Sequence, residues 1–138
     1  DINDSGMLDI STVFTKTLGE HNGFAAKDNM IYWTANGHLY YASIEEFKRD
    51  EDMSKYSYVD IQVSKGGKVQ VFGDYLIVNA QHLGKLQIYD ISTNGAPQML
   101  SGLEFNGLTD KCLLIETEGS QKILVPVKKL GLAIVELQ

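Results

Sequence analysis

Short apolar runs separated by turn residues predict that this chain is built from β-strands. In the middle of the sequence, apolar and polar residues alternate over 58–63 and 68–72, as in half-buried strands, whereas 75–78 is continuously apolar. The same spacing places further predicted strands at 12–18, 24–27, 30–34, 39–44, 86–91, 99–105, 111–116, 123–127 and 132–137. Asn-Gly pairs, which suit tight turns, begin at 22, 36, 94 and 106, between these runs. We therefore expect an all-β fold.

One segment departs from the strand pattern. Ser43 and Glu46 have the spacing of a helix capping box, in which each residue satisfies a backbone N–H of the other. Glu45 and Arg49 follow at i,i+4 spacing. The pattern predicts a short surface helix within 45–53.

The sequence contains an internal repeat. Residues 37–44, 84–91 and 131–137 are related segments, and each follows a second apolar run. Equivalent points lie about 47 and about 46 residues apart, the spacing of a four-stranded β-propeller blade. Residues 1–6 read like 90–95, the segment that closes a unit. These offsets predict one repeat domain over 1–138, with units at about 1–43, 44–90 and 91–138.

The most regular copy carries a family resemblance. Residues 84–92 read Gly-Lys-Leu-Gln-Ile-Tyr-Asp-Ile-Ser and follow Tyr-Leu-Ile-Val at 75–78. This resembles the LVIVD-type β-propeller repeat, in which a Tyr-Val-Ala-like strand precedes Gly-Leu-x-Ile-Val-Asp-hydrophobic-Ser. Glu136 stands at the Asp position in the third unit, and Ser43 stands there in the first. The resemblance implies a binding scaffold that is extracellular or on a cell surface.

Three units leave the architecture open. A propeller normally has about 4 to 8 blades, so three four-stranded antiparallel units would form a half-ring or a fragment. We then expect self-association with a second copy, or the remaining blades of a larger propeller. The alternative is a β-trefoil, which has three repeats of similar size and closes as a monomer. Trefoil lectins carry Gln-x-Trp near the end of each repeat, whereas the one Trp here, Trp33, follows Ile31 by two places.

Composition narrows the class of protein. The 138 residues are 43% hydrophobic, as in a globular domain, and carry a net charge of −6, which disfavours nucleic acid as a partner. No apolar run reaches the roughly 20 residues that would cross a bilayer, so no membrane insertion is expected. Cys112 is the sole cysteine and lies in an apolar run, so we expect a buried, inert thiol.

The order of strands and loops predicts which charges share one end of the sheets. In antiparallel units, the turns after the first and third strands lie at one end, and the other connections lie at the opposite end. The first set carries Lys65, Lys68, Lys85, Lys111, Lys128, Lys129, His21, His38 and His82. The second set carries Asp1, Asp4, Asp9, Asp28, Glu45, Glu46, Asp50, Glu51, Asp52, Asp74, Glu116 and Glu118, with Lys27, Lys48, Arg49 and Lys122 among them.

This polarity gives the leading functional hypothesis. A non-catalytic interaction module would bind a protein or an acidic ligand through the basic loops, because loops on a rigid scaffold commonly carry binding sites. The candidate binding residues are His21, His38, Lys65, His82, Lys85, Lys128, Lys129 and Trp33. Trp33 belongs to an aromatic group with Tyr32, Tyr40 and Tyr41, for which core packing is the favoured interpretation over a ligand platform.

Metal and catalytic signals are weak. Asp1, Asn3, Ser5 and Asp9 match part of a calcium loop, but Thr12 occupies the position of the bidentate Glu. The three histidines lie in separate loops without metal-ligand spacing. No nucleophile elbow or phosphate-binding glycine loop occurs, so we expect no cofactor and lean against an enzyme. The alternatives are a carbohydrate-binding β-trefoil and a partial propeller enzyme completed by dimerisation.

Overall fold

The computed structural model describes residues 21–49, 52–61 and 67–137, and it gives the backbone alone for His21, Asn22 and Met53. These residues form antiparallel sheets with very little helix. The prediction of an all-β fold made of three antiparallel units is therefore confirmed.

Sheet 1 has the strand order β1-β2-β3-β4. Its strands are β1 (His21–Lys27), β2 (Met30–Ala35), β3 (His38–Ser43) and β4 (Ser57–Asp60). Asn36 and Gly37 form the turn between β2 and β3 with φ of 52° and 79°, the positive values that a two-residue hairpin requires. The predicted Asn-Gly hairpin is confirmed at this position.

A short helix joins β3 to β4, as predicted from the capping box. Helix α1 (Ile44–Arg49) is followed by a 3₁₀ turn (Met53–Lys55). The Ser43 N–H donates to Glu46 Oε2 at 2.8 Å, and the Glu46 N–H donates to Ser43 Oγ at 3.1 Å. The reciprocal bonds fix the start of the helix.

Sheets 2 and 3 repeat the antiparallel arrangement. Sheet 2 contains β5 (Lys68–Phe72), β6 (Tyr75–Ala80), β7 (Lys85–Asp90) and β8 (Gln98–Glu104) in that order. Sheet 3 contains β9 (Leu113–Thr117), β10 (Ser120–Val127) and β11 (Gly131–Leu137), with β10 in the centre.

The sheets begin one strand later than the sequence units. β4 pairs with β3, and β8 pairs with β7, so the strand after each junction completes the sheet before it. The alternation of apolar and polar residues predicts that a strand is present. It does not predict which neighbouring strand will pair with it, because that depends on how the sheets pack. The shift leaves every turn at its predicted end, because moving the boundary by one strand preserves the alternation of strand directions.

Sheet 2 packs between the other two sheets. On one of its faces, Val78 and Tyr89 join a core cluster with Tyr32 and Leu39 of sheet 1. On the other face, Ile77, Leu86 and Ile88 join a cluster that includes Ile123 and Val125 of sheet 3. The strands form three separate sheets, and the described residues contain no closed barrel of the kind that a β-trefoil requires. The trefoil alternative is therefore wrong for this part of the chain.

Within the described ranges, no helix has the length and apolar character that would let it cross a membrane.

Candidate functional site

The turns of the three sheets place lysines together at one end. We call this the lysine end: it comprises the turn at 36–37, the turn at 81–84, the connection at 105–112 and the turn at 128–130, with the strand residues next to them. Its described cationic and histidine side chains are Lys68, Lys85, Lys111, Lys128, Lys129, His38 and His82. The predicted grouping is therefore present among the described residues.

The separation of charge is smaller than predicted. The lysine end also carries Asp60, Glu104 and Asp110, which the sorting of loops had left out. The Asp60 Oδ1 atom lies 2.8 Å from His38 Nδ1, which gives an ion pair when the imidazole is protonated. Lysines still outnumber carboxylates here, whereas carboxylates outnumber cations at the opposite end.

A cleft of about 540 Å³ opens at the lysine end between sheets 2 and 3. It is lined by His82, Leu83, Phe105, Asn106, Gly107, Leu108, Lys128 and Lys129. His82 and both lysines are exposed, and Leu83 and Leu108 remain 39% and 45% exposed. The cleft thus combines cationic groups with accessible apolar side chains.

Backbone hydrogen bonds hold together the three loops that form this cleft. The Phe105 N–H donates to Gly84 O at 2.8 Å, and the Thr109 N–H donates to Gln81 O at 3.1 Å. The Lys128 N–H donates to Leu108 O at 2.8 Å. Each loop is therefore tied to a neighbour, so the cleft is largely formed before any ligand arrives.

Gly84 permits the closest approach between two of these loops. Its φ is +64°, and a Cβ atom at this position would lie 2.2 Å from Gly107 O. Such a contact is far inside van der Waals distance, and the backbone conformation already favours glycine. A side chain here would push the loops at 81–84 and 105–112 apart.

A buried amide supports the cleft from below. Asn79 is fully buried, and its Oδ1 accepts a hydrogen bond from Thr109 Oγ1 at 2.6 Å. Its Nδ2 donates to Asp110 O at 2.8 Å and to Cys112 Sγ at 3.4 Å. One side chain of β6 therefore fixes the connection that leads into sheet 3.

The environment of Cys112 is that of a structural residue. Its side chain is 1% exposed, as predicted, and burial raises the pKa of the thiol to about 11. Gln70 brackets its backbone, because its Nε2 donates to Cys112 O at 2.9 Å and its Oε1 accepts from the Cys112 N–H at 3.0 Å. A thiol that stays protonated and buried is a poor nucleophile.

The structure brings only part of the predicted site together. His82, Lys128 and Lys129 line the cleft, whereas Lys85 lies beside a separate depression with Met99 and Glu104. His38 lies on sheet 1, with its ring centroid 4.2 Å from that of Tyr58.

Trp33 lies inside the protein. It is 0% exposed, stacks on Tyr40 at 5.4 Å between ring centroids, and meets Tyr56 edge-on at 5.1 Å. These contacts favour core packing over a ligand platform.

The other predicted residues lie outside what the structure describes. Lys65 falls in the undescribed stretch 62–66, and only the backbone of His21 is described. The calcium-loop candidates Asp1, Asn3, Ser5 and Asp9 fall within the undescribed residues 1–20. Among the described residues, no group of three His, Cys, Asp or Glu side chains could hold a metal ion.

Sequence reasoning missed the apolar lining of the cleft, namely Leu83, Phe105 and Leu108. A signal was present, because Leu83 and Leu108 lie within turn-forming segments, where a large apolar side chain has no strand face to cover. Only the structure shows that loops separated by more than twenty residues bring these side chains together.

A second cavity, of about 430 Å³, lies at the opposite end of the sheets. Its lining includes Glu46, Arg49, Lys55, Tyr41 and Tyr56. Glu46 is engaged in the capping box, and the hydrogen bond from the Ser43 N–H holds the pKa of its carboxyl below the usual value. The mixed charge of this cavity selects no ligand class.

No protein-family model and no curated protein sequence matches the chain. Among solved structures, similarity extends to KlHsv2 with loop 6CD replaced by a Gly-Ser linker, at 5% identity and a TM-score of 0.43. It also extends to the computationally designed proteins Ika8 and Ika4, each at 11% identity, with TM-scores of 0.41 and 0.43.

These alignments cover 86%, 85% and 96% of this chain in the same order. The chain matches 39% of the KlHsv2 chain, 46% of the Ika8 chain and 100% of the Ika4 chain. Structural similarity at these TM-scores does not indicate a function for this chain.

Proposed function

We propose that this protein is a non-catalytic interaction module that binds an acidic, partly apolar peptide segment of a partner protein in the cleft of the lysine end. The observation that carries this proposal is the pairing of Lys128 and Lys129 with the exposed apolar side chains of Leu83 and Leu108 in one cleft. Apolar lining supplies burial, and a few placed cations supply orientation and specificity.

The geometry supports a peptide better than a small reactive substrate. The cleft is open, and its loops are held by backbone hydrogen bonds and, from below, by the side chain of Asn79. Lys129 has a φ of 69°, so it lies at the bend of the turn at 128–130. A pair of exposed lysines at a turn suits electrostatic capture of carboxylates, with a salt-dependent association rate.

The proposal extends to the type of fold. The repeat offsets of about 46 and 47 residues coincide with equivalent strands in successive sheets, which supports an LVIVD-type propeller in which each sheet is one blade. In such a scaffold, a cleft between adjacent blades is a natural binding site because two rigid sheets position its walls.

The test measures binding of a dye-labelled peptide of alternating glutamate and leucine by fluorescence anisotropy. We expect saturable binding at low salt that weakens as the salt rises from about 0.05 M to about 0.5 M, because this change shortens the Debye length roughly threefold. The double variant Lys128→Glu/Lys129→Glu should weaken binding by about tenfold or more, because it replaces two attractive charges with repulsive ones.

A matched variant separates local from general electrostatics. Lys48→Glu/Lys55→Glu makes the same change in net charge with lysines of sheet 1's connection, at the opposite end of the sheets. It should leave peptide affinity within about twofold, since these lysines lie at the far end of strands roughly 20 Å long and solvent screens charges over such a distance. Equal loss in both double variants, or no saturable binding by the original chain, would contradict the proposal.

A further inference from the structure

Sheet 3 is apolar on both of its faces. On β10, Ile123, Val125 and Val127 are 0%, 0% and 4% exposed, because they pack in the core cluster shared with sheet 2. The residues that alternate with them lie on the opposite side, which we call the outer face of sheet 3. An antiparallel sheet with one side in water normally carries polar residues on that side.

The outer face instead exposes large apolar side chains. Leu113, Leu132 and Ile134 are 55%, 56% and 60% exposed, and Ile115 is 38% exposed. The strand register places Leu124 directly between Leu113 and Ile134, so these side chains form one patch across three strands. A contiguous exposed patch of this kind marks an interaction surface.

One ion pair lies within the patch. Lys122 and Glu136 are register partners next to the Leu124–Ile134 pair, and Lys122 Nζ lies 3.1 Å from Glu136 Oε1. The outer face is therefore neutral, with one cation and one anion side by side. An entirely apolar partner would bury both charges without new hydrogen-bond partners, which is costly. A partner that carries the same two charges in the opposite order would pair with both.

A second copy of the chain carries the charges in that order. Consider a two-fold axis that runs parallel to the strands between β10 and β11, so that β10 of one copy lies over β11 of the other. Residues that are partners in the register then face each other between copies: Lys122 faces Glu136 of the second copy, and Leu124 faces its Ile134. The contact is isologous, because each residue exchanges places with its partner.

The size of the face sets the strength of this contact. Strands of five to eight residues at three positions give a face of roughly 14 Å by 23 Å. Two such faces bury on the order of 1,000 Å² in total, the lower limit for a specific interface. We therefore expect a dimer that dissociates on dilution, with a micromolar dissociation constant.

We infer that two copies of this chain associate through the outer faces of sheet 3, with Leu124 and Ile134 at the centre and two reciprocal Lys122–Glu136 pairs beside them. The two sheets pack in aligned fashion, as in a β-sandwich. The contact uses the same face of both copies, so it ends at the dimer.

The first test is the mass in solution, measured by light scattering after size exclusion over a range of concentrations. The mass should rise from the 15.3 kDa of the chain to twice that value and no further. A chain that stays monomeric at millimolar concentration would show that the face does not bind a second copy. Assemblies that keep growing would also overturn the inference.

An uncharged substitution locates the contact. Ile134→Gln should raise the dimer dissociation constant by about tenfold or more, because it places a polar amide at the centre of the apolar patch. Its circular dichroism and cooperative melting should be retained, because Ile134 is exposed in the single chain. Leu100→Gln is the matched control, since Leu100 is 55% exposed on β8, and it should dimerise as the original chain does. Equal dissociation constants for Ile134→Gln and the original chain would contradict the contact.

Reversing the charges tests the two-fold arrangement. Lys122→Glu and Glu136→Lys should each weaken the dimer by about tenfold or more, because like charges then face each other between copies. An equimolar mixture of the two variants should recover the affinity, because the glutamates of one variant face the lysines of the other. Energy transfer between differently labelled variants measures this, and a fold defect would not be repaired by mixing. A mixture as weak as the separate variants would overturn the two-fold arrangement.

This inference is independent of the peptide cleft, which lies between sheets 2 and 3 at the lysine end. Ile134→Gln changes no charge and should leave peptide anisotropy titrations within about twofold of the original chain, given that distant sites behave independently. Failure of dimerisation and failure of peptide binding are thus observed separately.

Discussion

At the residue scale, Asn79 connects the core to the cleft. Asn79→Ala removes the acceptor of the Thr109 hydroxyl and the donor to Asp110 O. We expect the free energy of unfolding to fall by about 2–4 kcal/mol, because buried polar groups lose their partners. Urea denaturation measures this loss. Asn106→Ala, at an exposed position of the same connection, should change stability by less than about 0.5 kcal/mol, and an equally small effect at Asn79 would contradict the role assigned to it.

Trp33 is the largest fully buried side chain, and its role is to fill the outer layer of sheet 1. Trp33→Ala should lower the free energy of unfolding by about 3–5 kcal/mol, because it leaves a cavity among Tyr40, Phe47 and Tyr56. Thermal melting measures the change, and anisotropy of the glutamate–leucine peptide at low temperature should show binding retained by the folded fraction. Tyr58→Ala on the same sheet face is the milder control. An unchanged melting temperature together with loss of peptide binding would instead support a ligand-binding role for Trp33.

At the scale of elements, the start of α1 makes stability depend on pH. The Ser43 N–H lowers the pKa of Glu46 from its ordinary value of 4.5, so the charged carboxylate is favoured in the folded state. This contribution is fully present above pH 4.5 and is lost as the pH falls through the lower, folded-state value. Because this carboxylate is exposed and screened by solvent, Glu46→Ala should cost roughly 0.5 kcal/mol at pH 7, and the difference from the original chain should shrink below pH 4.5. Urea midpoints at several pH values measure it.

A neighbouring carboxylate controls for general charge effects at the helix. Glu45 lies 3.7 Å from Lys48 in an exposed pair, which contributes little to stability. Glu45→Ala should therefore shift the urea midpoint by less than Glu46→Ala at pH 7. A gap that stays constant from pH 7 to pH 3 for Glu46→Ala would show that the capping bond does not control the helix start.

Strand positions were largely predictable, because apolar periodicity is a local property. The apolar run at 75–78 lies within β6, and the capping box at Ser43 correctly placed α1. The run predicted at 111–116 begins two residues early, because Asn79 and Gln70 take the hydrogen bonds of 110–112 that a ladder would otherwise use. The pairing of β4 with β3 could not be predicted, since a strand pattern does not specify its neighbour.

At the scale of the whole molecule, strand order predicted which charges gather, but not the site they form. Lys128 and His82 were placed at one end by counting strand directions, and the structure brings both to one cleft. The apolar lining arises from loops that are distant in sequence, which periodicity cannot detect. Sorting the charges by strand direction also missed Asp60, a carboxylate that lies next to His38 and reduces the positive charge of the lysine end.

The position of sheet 2 between two partners has a consequence for the order in which the protein opens. It has a described core cluster on each face, whereas sheets 1 and 3 each share such a cluster with only one other sheet. Where sheets contact mainly their neighbours, stability is close to a sum over those contacts, so detaching sheet 1 or sheet 3 breaks one described junction and detaching sheet 2 breaks two. We therefore expect the amides of β6 and β7 to be the last to exchange with solvent in a single chain.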